Sequence, residues 1–167
     1  YPVRVKTGAS TYLSGVIQLS GGVSSLFTGA TVCAITNDGT TVGGKLWCWG
    51  SNYYGQIGDG TSGSANNRKV ATPITINGSA TGVTYVSTKG EHTCAIQNTG
   101  VWCWGYNNYG QVGNGLTTPT TVATPTQPVN TALGVSFASG FVQSETDESG
   151  VGSSCFVKNN GAVYCVG

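Results

Sequence analysis

The chain has 167 residues, of which 8% are charged, with 7 Lys+Arg against 6 Asp+Glu and a formal net charge of +1; ordinary domains carry about 25% charged residues. That balance excludes the clustered basic footprint of a nucleic-acid binder and gives little basis for attraction to an anionic membrane. No apolar run approaches the roughly 20 residues needed to span a bilayer, so membrane insertion is not expected. Solubility rests on Ser, Thr, Asn and backbone groups, the surface chemistry of a secreted β protein. The sequence opens at Tyr1 and contains no Met, which reads as a mature chain or an excised fragment.

In chain order, the first segment, YPVRV at 1–5, reads as a Pro-led edge strand, as do ATPITI at 71–76 and ATPTQPV at 123–129. Proline lacks the ladder N–H and suits such edges. Three further segments open with Gly-Val and alternate apolar with small polar residues, at 15–22, 82–90 and 134–140. That period of two predicts half-buried strands.

Each of these precedes a cysteine pair: Cys33 with Cys48, Cys94 with Cys103, and Cys155 with Cys165. The first members fall 61 residues apart each time. The pairs bracket turn signals at Asn37-Asp38-Gly39, Asn98-Thr99 and Asn159-Asn160-Gly161, and all three read as β-hairpins. Six cysteines formally allow 15 connectivities, but opposed hairpin residues lie within disulfide reach, which favours the three local pairings. A zinc site needs four converging ligands; there is no Cys-x-x-Cys and one His, so no metal is expected. Disulfides imply an oxidising compartment.

After two of the hairpins comes a second repeated element, LWCWGSNYYGQIGDG at 46–60 and VWCWGYNNYGQVGNG at 101–115. Trp, Cys, Trp, Gly, Asn, Tyr, Gly, Gln, Gly and Gly fall at matching offsets. The chain is therefore a repeat protein, with repeats at approximately 1–61, 62–116 and 117–167 in one domain. One repeat is a Pro-led segment, a Gly-Val strand, a Cys hairpin and a Gly-rich corner, about four strands in all, the content of a propeller blade. No helix of consequence is expected. Variation is confined to inserts at 23–31, 40–44, 61–69 and 141–152, which are expected on the surface.

HTCAIQNTGVWCWGYNNYGQVGNG at 92–115 resembles the repeat of the regulator of chromosome condensation family in its cysteine-bearing bacterial form. The first copy matches from Val32 through Gly60, and the third from Ser154 to Gly167, with Tyr164 and Val166 where the others carry Trp. The resemblance implies an all-β fold of three propeller-blade-like repeats of antiparallel strands. Four blades of this length would need about 240 residues, and propellers have 4–8 blades, so this length makes an incomplete ring. Either it is part of a longer chain or it is completed by homo-oligomerisation through open edges.

For chemistry, His92 occupies a slot the family often fills with His and is expected to be structural, with no nucleophile motif beside it. Trp47, Trp49, Trp102 and Trp104 sit at repeat-locked positions and are expected in the core, on the face opposite the intervening Cys. Tyr53, Tyr54, Tyr106 and Tyr109 lie in the corners, where packing and ligand contact are both open. Asn66 and Arg68 in the 61–69 insert, with Glu145 and Asp147 in the 141–152 insert, complete the candidate ligand-binding set. Glu145, Asp147 and Glu148 form an acidic cluster whose spacing matches no calcium loop. Asp59 reads as a turn residue, and Asn77-Gly78-Ser79 fits a glycosylation acceptor. No glycine motif opens a helix that could cradle phosphate, and no cofactor is expected.

The expected function is non-enzymatic: an extracellular or cell-surface adhesion module recognising a protein or glycan through inserted loops, as at the tip of a surface fibre. The alternative is a secreted inhibitor or regulator of a partner protein, since the resembled family includes β-lactamase inhibitors. Its nucleotide-exchange members suggest a GTPase partner, which an oxidising compartment disfavours.

Overall fold

In the computed structural model, residues 1, 3–23, 29–37, 39, 43–89, 91–129, 140–146 and 152–167 are described, with 141–146 described as backbone. The described regular structure is all-β apart from one short 3-10 turn, Ser64–Asn66. Strands β1 (Val16–Val23), β2 (Ala30–Thr36), β3 (Lys45–Gly50) and β4 (Arg68–Ile74) form one antiparallel sheet in sequence order. Strands β5 (Val83–Lys89), β6 (His92–Gln97), β7 (Gly100–Tyr106) and β8 (Thr121–Thr126) form a second. Strands β9 (Phe141–Thr146), β10 (Ser154–Lys158) and β11 (Val163–Val166) form a third sheet, ordered β11-β10-β9. Each sheet is a blade of a partial β-propeller. The innermost strands of the first two blades are sewn together by Gln18: its amide donates to the Val86 carbonyl (2.9 Å) and accepts from the Val86 N–H (3.1 Å).

The three hairpins form as the turn residues require. Asn98 and Thr99 both adopt left-handed backbone, with φ of 49° and 67°, so β6 and β7 are joined by a two-residue turn. Cys33 faces Cys48, Cys94 faces Cys103, and Cys155 faces Cys165 in register. All three pairs are disulfides, each with Cα atoms 4.1 Å apart.

Several expectations need correction. Residues 3–5 are not a strand; the segment makes an isolated bridge between Lys6 and Tyr12, and the Lys6 carbonyl accepts from Ala71 N–H beside β4. The Pro-led segments at 71–76 and 123–129 are edge strands as expected, but each closes the sheet before it. Pro73 stands opposite Trp47 in β4, and β8 pairs with β7. The reason is geometric: the Gly-rich corner reverses the chain onto its own hairpin and does not carry it to the next unit. The inserts are also shorter than expected. Val23, Ala30 and Thr31 belong to β1 and β2, and Arg68 and Lys69 to β4. Residues Phe141–Thr146 form β9, paired with β10, where a surface loop was expected. The Gly-Val segment at 134–139 lies outside the described residues.

The core lies between blades. Cys33, Cys48, Ile35 and Leu46 of the first blade pack with Val86, Ala95 and Trp104 of the second; Cys94, Cys103 and Val112 of the second pack with Phe156 of the third. The disulfide face of one blade thus meets the Trp face of the next. Trp104 is fully buried by this contact, and Trp102 packs partly buried against it, while Trp47 and Trp49 are only half-buried. The expectation of four core tryptophans is corrected on that point: among the described residues no blade precedes the first to cover its Trp face.

Candidate functional site

The corners after β3 and β7 share one hydrogen-bond scheme. Asn52 accepts from Ile57 N–H (3.0 Å) and donates to the Thr61 carbonyl (3.0 Å); Asn107 accepts from Val112 N–H (3.0 Å) and donates to the Leu116 carbonyl (2.8 Å). Gln56 accepts from Tyr54 N–H (2.8 Å), and Gln111 from Tyr109 N–H (2.9 Å). Both Asn and both Gln are buried. Their side chains replace the ladder partners that a chain leaving a sheet loses.

Each corner also keys into the following blade. The Gln56 carbonyl accepts from Trp104 Nε1 (2.9 Å) and from Thr93 Oγ1 (2.9 Å). One blade later, the Gln111 carbonyl accepts from Ser154 Oγ (2.8 Å), which lies 2.9 Å from His92 Nε2. Because the Ser154 proton is committed to Gln111, the His92 ring proton sits on Nε2 and donates to Ser154. His92 is buried between two blades, where its imidazole serves blade docking.

Two of the positions at which the corners differ build a distinctive surface among the described residues. Tyr106 stands where the first corner has Ser51, and Tyr53 where the second has Asn108, while Tyr54 and Tyr109 are equivalent. Blade docking brings all four rings into one file. Centroids lie 4.8 Å apart for Tyr53–Tyr54, 4.5 Å for Tyr54–Tyr106 and 6.2 Å for Tyr106–Tyr109, at tilted or edge-on angles. These are favoured aromatic geometries, each contributing about 0.5–1.5 kcal/mol beyond area burial. Tyr53 and Tyr109 at the two ends are 47% and 44% exposed, so the ladder offers a ring face at each end. Burial, followed by the nearby Glu91 carboxylate, raises the Tyr54 phenol above its ordinary range; burial, then Tyr109 and Glu91, raises Tyr106. Both phenols are neutral at physiological pH.

Arg68 and Asn66 do not join this surface. Arg68 is turned onto Asp59, with Nε donating to Oδ2 (2.6 Å) and a second nitrogen donating to Thr61 Oγ1 (3.1 Å). Asp59 also accepts from Thr61 N–H (3.0 Å), so the expected turn role holds, with an ion pair added. Asn66, in the short 3-10 turn, donates to the Ser62 carbonyl (2.7 Å). Glu145 stands opposite Cys155 on β9, whereas Asp147 and Glu148 lie outside the described residues. Asn77 is exposed in a turn between Ile76 and Ser79. No group of three or more metal-ligating side chains occurs among the described residues. The signal that would have found the ladder is the pair of differences between the two corners that adds a tyrosine, Tyr106 against Ser51 and Tyr53 against Asn108.

Comparison with known proteins follows the fold. The model of the regulator of chromosome condensation (RCC1) repeat matches residues 43–96 and 100–140. A zebrafish (Danio rerio) protein named as an RCC2 homolog is 34% identical over 114 residues, covering 64% of this chain and 22% of that protein. The structure of human WBSCR16 superposes with a TM-score of 0.68 at 20% identity, over 90% of this chain and 32% of that one. Prp20p from Saccharomyces cerevisiae, described with its binding properties to Gsp1p and histones, gives 0.63 at 16% identity over 98% and 32%. The chain therefore spans about a fifth of the length of that curated relative and about a third of each solved propeller.

Proposed function

Because the chain belongs to the regulator of chromosome condensation (RCC1) repeat family, we propose that it is a non-enzymatic recognition module that binds a partner protein through the tyrosine ladder. Its working place is extracellular or at a cell surface, as in an adhesin, a reading supported by one disulfide in each of three blades. The ladder carries the proposal. Four tyrosines contributed by two blades stand in contact, with the end rings nearly half exposed. Rigid amphipathic rings supply contact area at small conformational cost, which is why Tyr is enriched at protein interfaces. A protein partner is preferred to a glycan because Prp20p, of the same fold, binds Gsp1p and histones.

A second part of the proposal concerns assembly. Ile17, Leu19 and Val23 on β1 are 59%, 65% and 67% exposed, beside a half-buried Trp49. At the other end of the arc, Cys165 is exposed. These open faces match in kind the faces buried between blades, so the module associates with further blades, either of its own kind or of a longer chain.

The test of recognition is selection of displayed peptides on the whole chain, followed by affinity measurement on a Tyr53→Ala, Tyr109→Ala double variant. Both rings are exposed, so the variant retains its fold. The expected result is at least about tenfold weaker binding, since interface aromatics carry 2 kcal/mol or more at hot spots. Unchanged affinity would remove the ladder from the function. Binding on a glycan array with none among the peptides would replace the protein partner by a glycan.

A further inference from the structure

We infer that the chain carries a second binding site, for a neutral saccharide, in the cleft lined by Trp102 and Gln97. The site is separate from the tyrosine ladder: Gln97 and Trp102 stand near the turn that joins β6 to β7, whereas Tyr106 stands at the opposite end of β7.

Three observations carry it. The first is an indole N–H released by a difference between blades. In the first blade Trp47 Nε1 donates to Thr36 Oγ1 (2.9 Å). By register, Gln97 takes the place of Thr36 in the second blade, and Trp102 that of Trp47. The Gln97 amide nitrogen donates instead to the carbonyls of Thr81 (2.8 Å) and Ser79 (3.3 Å). Those carbonyls only accept, so the orientation of the carboxamide is fixed and Gln97 Oε1 is left as an acceptor. Among the described residues neither Trp102 Nε1 nor Gln97 Oε1 has a hydrogen-bond partner, and neither is a sealed orphan, so both are open to a ligand. The second observation is the lining. A cleft of about 360 Å3 is bounded by Trp102, Gln97, Asn77, Asn98 and Gln127, a size within the roughly 300–1,000 Å3 of small-ligand sites. The third is its rigidity and reach. Gln97 is buried, and Asn98 is fixed in a left-handed turn, φ 49°, by its N–H on the Gly82 carbonyl (3.0 Å). Asn77 is shared with a second cleft of about 310 Å3 that extends to Thr75 and Thr124, which gives room for more than one sugar ring.

Four carboxamides and one indole select a ligand that is uncharged and richly hydroxylated. Each carboxamide both donates and accepts, as a sugar hydroxyl does, while the indole offers an apolar surface to the C–H face of a pyranose and an N–H to one of its oxygens. An ionic ligand finds no free countercharge: no charged side chain lines the first cleft, and the carboxylate in the second, Asp59, is engaged by Arg68. A purely apolar ligand would leave the carboxamides unpaired as it displaced their water. An extended peptide gains most from an open ladder of backbone groups, whereas here side-chain carboxamides converge.

The test uses the whole chain with three neutral trisaccharides, cellotriose, maltotriose and chitotriose, and with trigalacturonate as an anionic counterpart. NMR follows the tryptophan indole N–H resonances, and affinity is read from the signals of the saccharide. At least one neutral trisaccharide is expected to shift the Trp102 N–H saturably, and trigalacturonate to leave it in place. Trp102→Phe keeps an aromatic ring but lacks the N–H, and is expected to weaken that binding about tenfold. Should that variant fail to fold, Asn98→Gly, which keeps the left-handed turn and removes one carboxamide, is expected to weaken it several-fold. The Tyr53→Ala, Tyr109→Ala double variant is expected to bind the trisaccharide unchanged. No saturable Trp102 shift from any of the three, an equal shift by trigalacturonate, or loss of saccharide binding in the tyrosine double variant would overturn the inference. So would displayed peptides that shift Trp102, which would assign the cleft to a peptide. Loss of selected-peptide binding in the double variant upholds the ladder whatever the saccharides do, so the two readings fail separately.

Discussion

Gly58 illustrates how tightly the first corner is keyed. It adopts φ of 86°, and a Cβ there would lie 2.5 Å from the Trp104 indole nitrogen, the group that donates to the Gln56 carbonyl. Gly58→Ala therefore combines left-handed strain with displacement of a buried indole, and is expected to cost about 2–4 kcal/mol in urea unfolding. Gly110, at φ of 82° with nothing within 4 Å of its Cβ position, isolates the backbone part. Gly110→Ala should cost about 1–2 kcal/mol. Equal losses at the two sites would contradict the key-and-slot contact. Asp59 gives a different signature. Burial alone would raise its carboxyl, but hydrogen bonds from Thr61 and Arg68 and the Arg68 charge hold it below its ordinary 3.8. The folded carboxyl thus has the lower pKa, so its contribution is complete above pH 3.8 and is lost as pH falls through the folded value. Asp59→Asn should flatten the acid limb of the stability profile, and a profile unchanged in shape would refute that ion-pair role.

At the level of elements, the cysteine hairpins were legible because turn chemistry and disulfide reach are local properties, visible in Asn98-Thr99 and in the spacing of Cys94 and Cys103. The order of strands within a blade was not. A Pro-led segment reads as an edge from its lost N–H, but which hairpin it borders depends on the corner, whose Asn52 and Gln56 bonds fold the chain back on itself. The ladder was half legible: its four residues could be named, yet contact between Tyr54 and Tyr106 depends on blade docking across more than 50 positions. Burial also separates the disulfides. Cys33–Cys48 and Cys94–Cys103 are sealed between blades, whereas Cys155 is half-buried and Cys165 exposed. Exchange requires access by an attacking thiolate. Graded reduction with alkylation mapping should therefore label Cys155 and Cys165 first, and earlier labelling of either sealed pair would contradict the interblade packing.

For the whole molecule, the arc exposes a Trp face at one end and a disulfide face at the other, the two halves of the contact it buries internally. Contacts of that head-to-tail kind close into rings or run on as fibres. Sedimentation of the chain should show concentration-dependent association, weakened by Leu19→Asp on β1, whose side chain is 65% exposed. A single monomeric species up to high concentration would exclude self-assembly through these faces. Recognition and assembly both depend on the same docking of one corner into the next blade. The most direct measurement is a nuclear Overhauser experiment on ring-labelled tyrosines in the oxidised chain. With centroids 4.5 Å apart, Tyr54 and Tyr106 should give a strong ring-to-ring cross-peak. If Tyr54 contacts only Tyr53, and Tyr106 only Tyr109, the ladder does not bridge the blades and the recognition surface does not exist.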